Sequence, residues 1–228
     1  MWDTILEVML SVMNQMYIHK DMTRRQQHGI IVNIPKDTGD ITPAGYRPIT
    51  LMNTDYNLLP RIMARRWTSI FEEQISSSRY CSVPGKSILE DVSMLRDVNA
   101  HAKLTGTLLC ILSLDFRIAF DCISHQYLFK ILACYGVSQW FIDRVRSMYK
   151  NAAASLQING AFLGQIPIQS AIRHGCPLSM ALYALCVHPL LRTLENRLTG
   201  VSIGERGQKI SVLAYVMTLQ SSYQTVKT

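Results

Sequence analysis

The chain has 228 residues, of which 48% are hydrophobic and 17% are charged. This balance provides enough apolar surface for a sizeable core and excludes a disordered tail. The formal net charge is +7, and the whole excess lies in residues 101–228, which hold 12 Lys and Arg against 5 Asp and Glu. A basic half fits either a polyanionic partner such as nucleic acid or a generic basic surface, and composition does not separate the two.

The six cysteines are scattered along the chain, with no C-x-x-C pair and no His at zinc-ligand spacing. This pattern predicts reduced core residues of an intracellular protein rather than a disulfide framework or a zinc site. The cysteines are Cys81, Cys110, Cys122, Cys134, Cys176 and Cys186.

Residues 1–17 predict an amphipathic helix. Asp3 and Glu7 stand where a signal peptide would carry basic residues, and the apolar residues recur on one helical face. No apolar run in the chain reaches the roughly 18 to 20 residues that a membrane span requires. We therefore expect a soluble protein, not secreted and without a membrane segment, in the nucleus or the cytoplasm.

Strand and helix patterns follow in the first half. Residues 30–34 predict a strand closed by Pro35, after which the sequence is rich in turn residues. Helical spacing then begins at Thr54, a predicted N-cap, and extends to Ile75. Pro60 lies inside this helix, where it removes a hydrogen bond and costs about 3 kcal/mol. Residues 82–87 predict a loop, and residues 88–102 predict another amphipathic helix.

The middle of the chain has clear boundaries. Residues 107–114 form a nearly continuous apolar run of strand length, which predicts a buried central strand. Ser124 and Ser138 are predicted N-caps of two helices. Asn159-Gly160 lies between alternating apolar residues and predicts a β-hairpin.

In the last part, Pro177 begins a long apolar helix that runs through Leu198 and is interrupted by Pro189. Residues 209–220 form another strand-like run. Helices outnumber strands, so the sequence predicts an α+β fold.

The segment LSLDFRIAFD carries the clearest chemistry. A buried strand would deliver Asp115 at its end, with Asp121 shortly after. Mg²⁺ prefers carboxylate oxygens and is often held by one or two carboxylates together with substrate phosphates. Alternatively, Asp115 simply ends a strand and Asp121 caps a turn.

Two other segments suit phosphate or ligand contacts. In RHGCPLS, Gly175 lets the backbone approach a ligand closely, although a plain loop-to-helix junction explains the same residues. IPK lies ten residues upstream of YRPI, and these supply Lys36 and Arg47 in a turn-rich region suited to gripping phosphates.

In this order and spacing, the segments resemble the reverse transcriptases of non-LTR, LINE-type retrotransposons. IPK followed by YRPITLMNTDY resembles the fingers region, and VPGKSILEDV resembles the template-gripping segment after it. LSLDFRIAFDCISHQYLF resembles the first catalytic palm motif. SAIRHGCPLSMALYALCVHPLL resembles the second, whose family form reads R-Q-G-C-P-L-S-P. The similarity runs from roughly residue 1 to residue 220.

The resemblance implies a partial right-hand polymerase fold. Residues 1–100 would form helical fingers, and residues 101–228 an incomplete palm sheet without a thumb. We expect a truncated copy of the element, with an RNA template, a DNA primer and deoxynucleotides as the family's partners. Neither the resemblance nor the residues predict an oligomeric state.

The resemblance also implies residue roles. Asp115 matches the first catalytic, metal-binding aspartate, which holds Mg²⁺ in the family. Phe120 matches the aromatic gate that contacts the sugar of the incoming nucleotide. The remaining matches hold the triphosphate or abut the nucleotide and template: Lys36, Arg47, Arg173, His174 and Gly175.

The chain departs from the family at the third palm motif, A-Y-A-D-D-V. The corresponding stretch is VLAYVMTLQSS, in which Ala-Asp-Asp is deleted between Tyr215 and Val216, and no Asp or Glu follows Glu205. Two-metal phosphoryl transfer needs carboxylates that hold both cations, which Asp115 alone cannot do. We therefore expect that Mg²⁺ is not bound productively and that the chain does not polymerise.

Other positions also depart from the family, and Pro60 in the fingers helix, where the family has Ala, together with the missing turn indicates relaxed selection on activity. Ile118 stands where the family has Lys, His174 replaces Gln, and Met180 replaces Pro. Three hypotheses remain: an active polymerase, a catalytically dead remnant, which we favour, and a remnant retained as a nucleic-acid-binding module.

Overall fold

The computed structural model describes residues 2–36, 39, 41–75, 88–116, 118–203 and 208–213, which contain seven α-helices and six strands. The helices are α1 (Trp2–His19), α2 (Arg24–Gln27), α3 (Thr54–Ile75), α4 (Ile88–Thr105), α5 (His125–Cys134), α6 (Gln139–Tyr149) and α7 (Ser179–Arg197). The strands are β1 (His28–Pro35), β2 (Tyr46–Leu51), β3 (Ala153–Ile158), β4 (Ala161–Pro167), β5 (Val201–Ile203) and β6 (Gln208–Ile210). The predicted α+β class is confirmed.

The chain divides into two compact units. The first joins Met1–Arg66 to Phe120–Leu182, and the second joins Trp67–Ala119 to Tyr183–Thr228. Each unit therefore draws on both halves of the sequence. The boundary near residue 100 between fingers-like and palm-like regions follows the family motifs rather than compactness, and it stays a prediction.

The first unit contains a four-stranded sheet in the order β2-β1-β3-β4. Strand β1 is antiparallel to β2 and parallel to β3, so Ile30 pairs with Leu51 on one side and with Ser155 on the other. Strands β3 and β4 form the predicted hairpin, whose turn residues Asn159 and Gly160 both have positive φ, at 49° and 81°. Strand β2 begins within the stretch predicted to be rich in turns and was not predicted, because Pro48 and the polar residues around it obscure the strand pattern.

Two short capped helices complete the core of this unit. The side chains of Ser124 and Ser138 accept hydrogen bonds from Tyr127 N (3.2 Å) and Phe141 N (3.4 Å), which confirms both predicted N-caps. Each cap satisfies a backbone N–H that has no partner within its own helix. Side chains from α3, α5 and α6 are fully buried in this unit, namely Tyr56, Met63, Leu128, Leu132 and Met148.

The predicted central strand at 107–114 is wrong. These residues are neither helical nor in a strand, and Leu108 and Leu112 are 99% and 77% exposed. An apolar run becomes a buried strand only where neighbouring strands satisfy its backbone groups. Within the described part of the second unit, the two strands β5 and β6 pair with each other. Asp115 is consequently an exposed residue of an irregular segment, not the end of a buried strand.

The helix boundaries differ from the predicted ones by a few residues. Thr54 is the first residue of α3 rather than its N-cap, and the helix continues through Pro60 to Ile75. Helix α7 begins at Ser179, two residues after Pro177, and likewise continues through Pro189. Pro60 is buried, and tertiary packing of this kind can hold a helix together across a proline.

The prediction of core cysteines is only half right. Cys176 and Cys186 are buried, but Cys110, Cys122 and Cys134 are exposed. All five are free thiols, so no disulfide involves them, and Cys81 lies outside the described residues. The exposed cysteines lie in exposed parts of the fold: Cys110 belongs to the irregular segment at 107–114, and Cys134 is the last residue of α5.

Helix α1 forms as predicted, but it buries little of its apolar face. Met16 is its one buried residue with a described side chain, and most of its aliphatic residues are exposed. A single guanidinium holds the end of the helix in place, since Arg144 donates to Met16 O (3.1 Å) and lies 4.4 Å from the Tyr17 ring centroid. No helix in the described ranges is long and apolar enough to cross a membrane.

Candidate nucleotide site

Two loops of the first unit run antiparallel and bring predicted site residues together. The N–H of Ile172 donates to Phe120 O (2.9 Å), and the N–H of Ala171 donates to Ile123 O (2.9 Å). An isolated β-bridge between Ser124 and Ser170 continues this pairing. The two segments that matched separate family motifs are thus joined by their backbones.

The first pair brought together is Phe120 and His174. Their ring centroids are 5.3 Å apart at 54°, within the range of favourable tilted aromatic pairs. His174 Nε2 also lies 3.2 Å from Asp121 Oδ1. Phe120 is only 5% exposed, so in this conformation the predicted sugar-contacting ring is covered. Asp121 therefore contacts a residue 53 positions away, a role that neither reading of the sequence predicted.

Arg173, the residue before His174, is 6% exposed. Its guanidinium donates through Nη2 to Gln27 O (2.5 Å) and lies 5.0 Å from the centroid of the Tyr56 ring. Its own carbonyl accepts a 2.5 Å hydrogen bond from Ser179 Oγ. Nη1 is buried and has no hydrogen-bond partner among the described residues. Arg173 therefore joins the loop to the start of β1 and to α3, with one donor left over.

Burial and the neighbouring charge of Arg173 both affect the pKa of Tyr56. Burial raises the pKa of Tyr56 well above its ordinary value, the neighbouring Cys176 adds to the rise, and the positive charge of Arg173 opposes it. The tyrosine is therefore a neutral phenol at any physiological pH, presenting its ring face to the guanidinium. This geometry is a cation–π contact in a water-poor site, where such contacts are strongest.

Gly175 places the loop directly against β2. Its φ is +81°, and a Cβ added there would lie 2.7 Å from the carbonyl oxygen of Thr50. Real Cβ atoms do not come this close to a backbone oxygen, so glycine is required for both reasons. The sequence predicted a close backbone approach at Gly175, and the structure shows that its neighbour is the protein's own strand.

Lys36 and Arg47 lie at the other end of the β1–β2 hairpin. Arg47 pairs with Ile34, and the N–H of Lys36 donates to Gly45 O (2.8 Å). Because side chains alternate along a strand, Lys36 shares the face of Ile34 and therefore of Arg47. From Thr50, which touches Gly175, to Arg47 the strand rises about 10 Å. All six predicted nucleotide-binding residues thus belong to the first unit.

His125 is a site residue that the sequence did not predict. It donates through Nε2 to Ala171 O (3.1 Å), and its ring centroid lies 4.7 Å from that of Tyr149. Burial lowers the pKa of His125, and the charge of Arg173 lowers it further, although the bond to Ala171 opposes both. His125 is therefore neutral near pH 7 and ties α5 to the loop. The sequence feature that could have identified His125 is its position in the first turn of the helix that Ser124 caps.

The predicted metal ligand belongs to the second unit. Asp115 is exposed, and among the described residues no group of three or more His, Cys, Asp or Glu side chains is arranged to hold a metal. The described residues around Asp115 therefore do not fit a two-metal centre. The predicted loop at 82–87 and the stretch around Tyr215 and Val216 lie outside the described residues.

Comparison with known proteins identifies the family. The model of the family described as reverse transcriptase (RNA-dependent DNA polymerase) matches residues 34–216. The chain belongs to this family.

The curated relatives are proteins of non-LTR retrotransposons. The chain is 31% identical over 215 residues to "Transposon TX1 uncharacterized 149 kDa protein" of Xenopus laevis, covering 94% of this chain and 16% of that protein. It is 26% identical over 215 residues to the "Retrovirus-related Pol polyprotein from type-1 retrotransposable element R2" of Nasonia vitripennis, covering 94% of this chain and 20% of that one. The type-2 R2DM polyprotein of Drosophila melanogaster is 25% identical over 203 residues, with coverages of 86% and 18%. The chain thus spans a fifth or less of each of these relatives.

Two glycines with the same backbone angle provide a test of the close contact at Gly175. Gly160 also has φ +81°, but nothing lies within 4 Å of an added Cβ there. Gly160→Ala should cost about 1 to 2 kcal/mol for the left-handed backbone alone. Gly175→Ala should cost more, by about 1 to 3 kcal/mol, because the methyl group also strikes Thr50 O. Urea unfolding of both variants measures the difference, and equal losses would contradict the contact.

Proposed function

We propose that this chain is a retrotransposon-derived, reverse-transcriptase-like protein that keeps the framework of a nucleotide site but does not polymerise. The observation that carries this proposal is the sequence of the third palm motif. Ala-Asp-Asp is missing between Tyr215 and Val216, and no carboxylate side chain follows Glu205. The polymerase chemistry of the family depends on carboxylates that position two metal ions, and here Asp115 has lost its two partners.

The nucleotide-site framework is the part we propose is retained. Lys36 and Arg47 share one face of a hairpin and would hold the triphosphate. Phe120 would contact the sugar once His174 moves off its ring, because the phenyl group is covered in this conformation. The unpartnered Nη1 of Arg173 is a buried donor whose hydrogen-bond capacity a phosphate oxygen would satisfy.

The remaining family features are also proposals. Residues 1–100 would be the fingers, and residues 101–228 would belong to the palm of the right-hand polymerase fold. RNA template, DNA primer and deoxynucleotides would be the ligands of the parent enzyme. Mg²⁺ would be that enzyme's cofactor, with Asp115 as the ligand that this chain has kept.

Primer extension on an RNA template tests the loss of polymerisation. With Mg²⁺ and deoxynucleotides, the chain should extend no primer, and Asp115→Asn should behave identically because there is no activity to remove. The control is the same protein with Ala-Asp-Asp restored between Tyr215 and Val216. Extension that needs both Mg²⁺ and Asp115 in the unrestored chain would refute the proposal.

A second candidate function is nucleic-acid binding without catalysis. It is favoured by the uneven charge, because residues 101–228 carry the whole excess of 12 basic over 5 acidic side chains. Phosphate neutralisation by Lys and Arg releases counterions, and this release makes binding steeply dependent on salt.

A salt titration separates this candidate from a protein with no ligand. Filter binding of a single-stranded RNA should give a straight line of log affinity against log salt, with a slope of about −0.7 for each phosphate contacted. The same RNA should be released by high salt without unfolding of the protein, as followed by circular dichroism. Absence of binding at low salt, or binding that ignores salt, would eliminate the candidate.

A further inference from the structure

The first unit contains a cavity of 790 Å³ that none of the family motifs assigns. Its volume is within the range of ordinary ligand pockets. The segment around α2 forms one wall, and the starts of β1 and β3 and the end of β4 form the rest. The lining residues are Asp21, Met22, Arg24, Arg25, Gln27, His28, Asn151, Ala153 and Gln165.

Hydrogen bonds fix the backbone that carries the two arginines of the cavity. Thr23 and Gln26 form a reciprocal capping box, in which Gln26 N donates to Thr23 Oγ1 and Thr23 N donates to Gln26 Oε1. Gln26 is almost fully buried. The backbone under Arg24 and Arg25 is therefore held in place while their side chains are exposed. Neither arginine forms a salt bridge within the described part of the chain.

The single carboxylate of the lining is already engaged. Asp21 accepts hydrogen bonds from Lys150 Nζ (2.5 Å), Met22 N (2.9 Å) and Gln27 Nε2 (2.9 Å). Burial alone would raise the pKa of Asp21, but the hydrogen bonds from Lys150 and Met22 more than offset it and lower the pKa. Because Lys150 neutralises this carboxylate, the two arginine charges of the cavity remain uncompensated.

The chemistry of the lining selects a class of ligand. Amide side chains of Asn151 and Gln165 accompany the two guanidinium groups, while the amide of Gln27 already donates to Asp21. The lining contains no Phe, Tyr or Trp, and its one aromatic ring, the imidazole of His28, is hydrogen-bonded to Ser155 Oγ (3.0 Å). Nucleobases are held mainly by stacking on aromatic rings, so this cavity offers them little. Guanidinium groups with flanking amides suit phosphate oxygens, which accept several hydrogen bonds at once.

We propose that this cavity binds the phosphodiester backbone of single-stranded nucleic acid, without preference for base sequence. A flexible single strand can bend into a concave site, whereas a stiff duplex would contact only its rim. This inference rests on the second candidate function and names where the strand is gripped. Gln27 also links the cavity to the candidate nucleotide site, since its carbonyl accepts the hydrogen bond from Arg173.

The test compares two arginine pairs of equal charge. Arg24→Gln with Arg25→Gln removes the pair in the cavity, and Arg65→Gln with Arg66→Gln removes an exposed pair on α3 that does not line it. The probe is a fluorescein-labelled oligouridylate of about 12 nucleotides, a length that one binding site can cover. The cavity variant should bind about tenfold more weakly at low salt, with a salt slope shallower by about 1.4. The α3 variant should keep the slope of the unchanged protein.

Two further variants keep the test decisive if the first loses structure. Arg24→Lys with Arg25→Lys retains the charge and should preserve the slope while weakening binding. Gln165→Glu adds a carboxylate to the cavity and should weaken binding as strongly as the loss of one arginine. An oligodeoxythymidylate of equal length should give the same slope as the RNA, because phosphate is the shared ligand.

The outcomes distinguish the cavity from the function on which it depends. If the unchanged protein binds no oligonucleotide, both nucleic-acid binding and the cavity site fail. If it binds and the two arginine pairs weaken binding equally, the cavity proposal fails and general electrostatic attraction remains. Displacement of the oligonucleotide by polyglutamate at equal charge would also overturn the proposal, because the site would then accept an acidic peptide.

Discussion

The buried guanidinium of Arg173 is the contact on which the candidate nucleotide site depends. One side chain joins three segments far apart in sequence: its own loop, the residue before β1 through Gln27 O, and α3 through the ring of Tyr56. An arginine that is nearly inaccessible to solvent is costly unless its donors are satisfied, so these contacts constrain all three segments. The close approach of Gly175 to Thr50 follows from the same arrangement, since both contacts hold the loop against the β1–β2 hairpin.

The residues whose contacts hold the candidate site together are different from the carboxylates that catalysis in the family requires. The loops carrying Phe120 and His174 are joined by backbone hydrogen bonds, and Lys36 and Arg47 are placed by the strand register. None of these contacts involves Asp115 or the third palm motif. The contacts that hold the candidate nucleotide site together therefore do not depend on Asp115.

The sequence correctly predicted those structural features that depend only on neighbouring residues. The caps at Ser124 and Ser138 and the Asn159-Gly160 turn need only neighbouring residues, and all three were predicted correctly. The strand predicted at 107–114 failed because burial depends on partner strands elsewhere in the chain. His125 and Tyr56 were missed for the same reason, since their roles come from Ala171 and Arg173, which are distant in sequence. The family motifs assigned Lys36 and Arg47 to the fingers and the other four nucleotide-site residues to the palm. The structure shows that all six belong to one unit, that Phe120 is covered and that Arg173 is bonded internally.

The most direct test of a structural role for Arg173 is the free energy of unfolding of Arg173→Met in the absence of any nucleotide. We predict a loss of about 2 to 4 kcal/mol, because Gln27 O loses a charged donor and the Tyr56 ring loses its cation. Arg65→Met, an exposed arginine on α3, is the matched control and should change stability by less than about 0.5 kcal/mol. If Arg173→Met unfolds at the same urea concentration as the unchanged protein, Arg173 does not hold the site together.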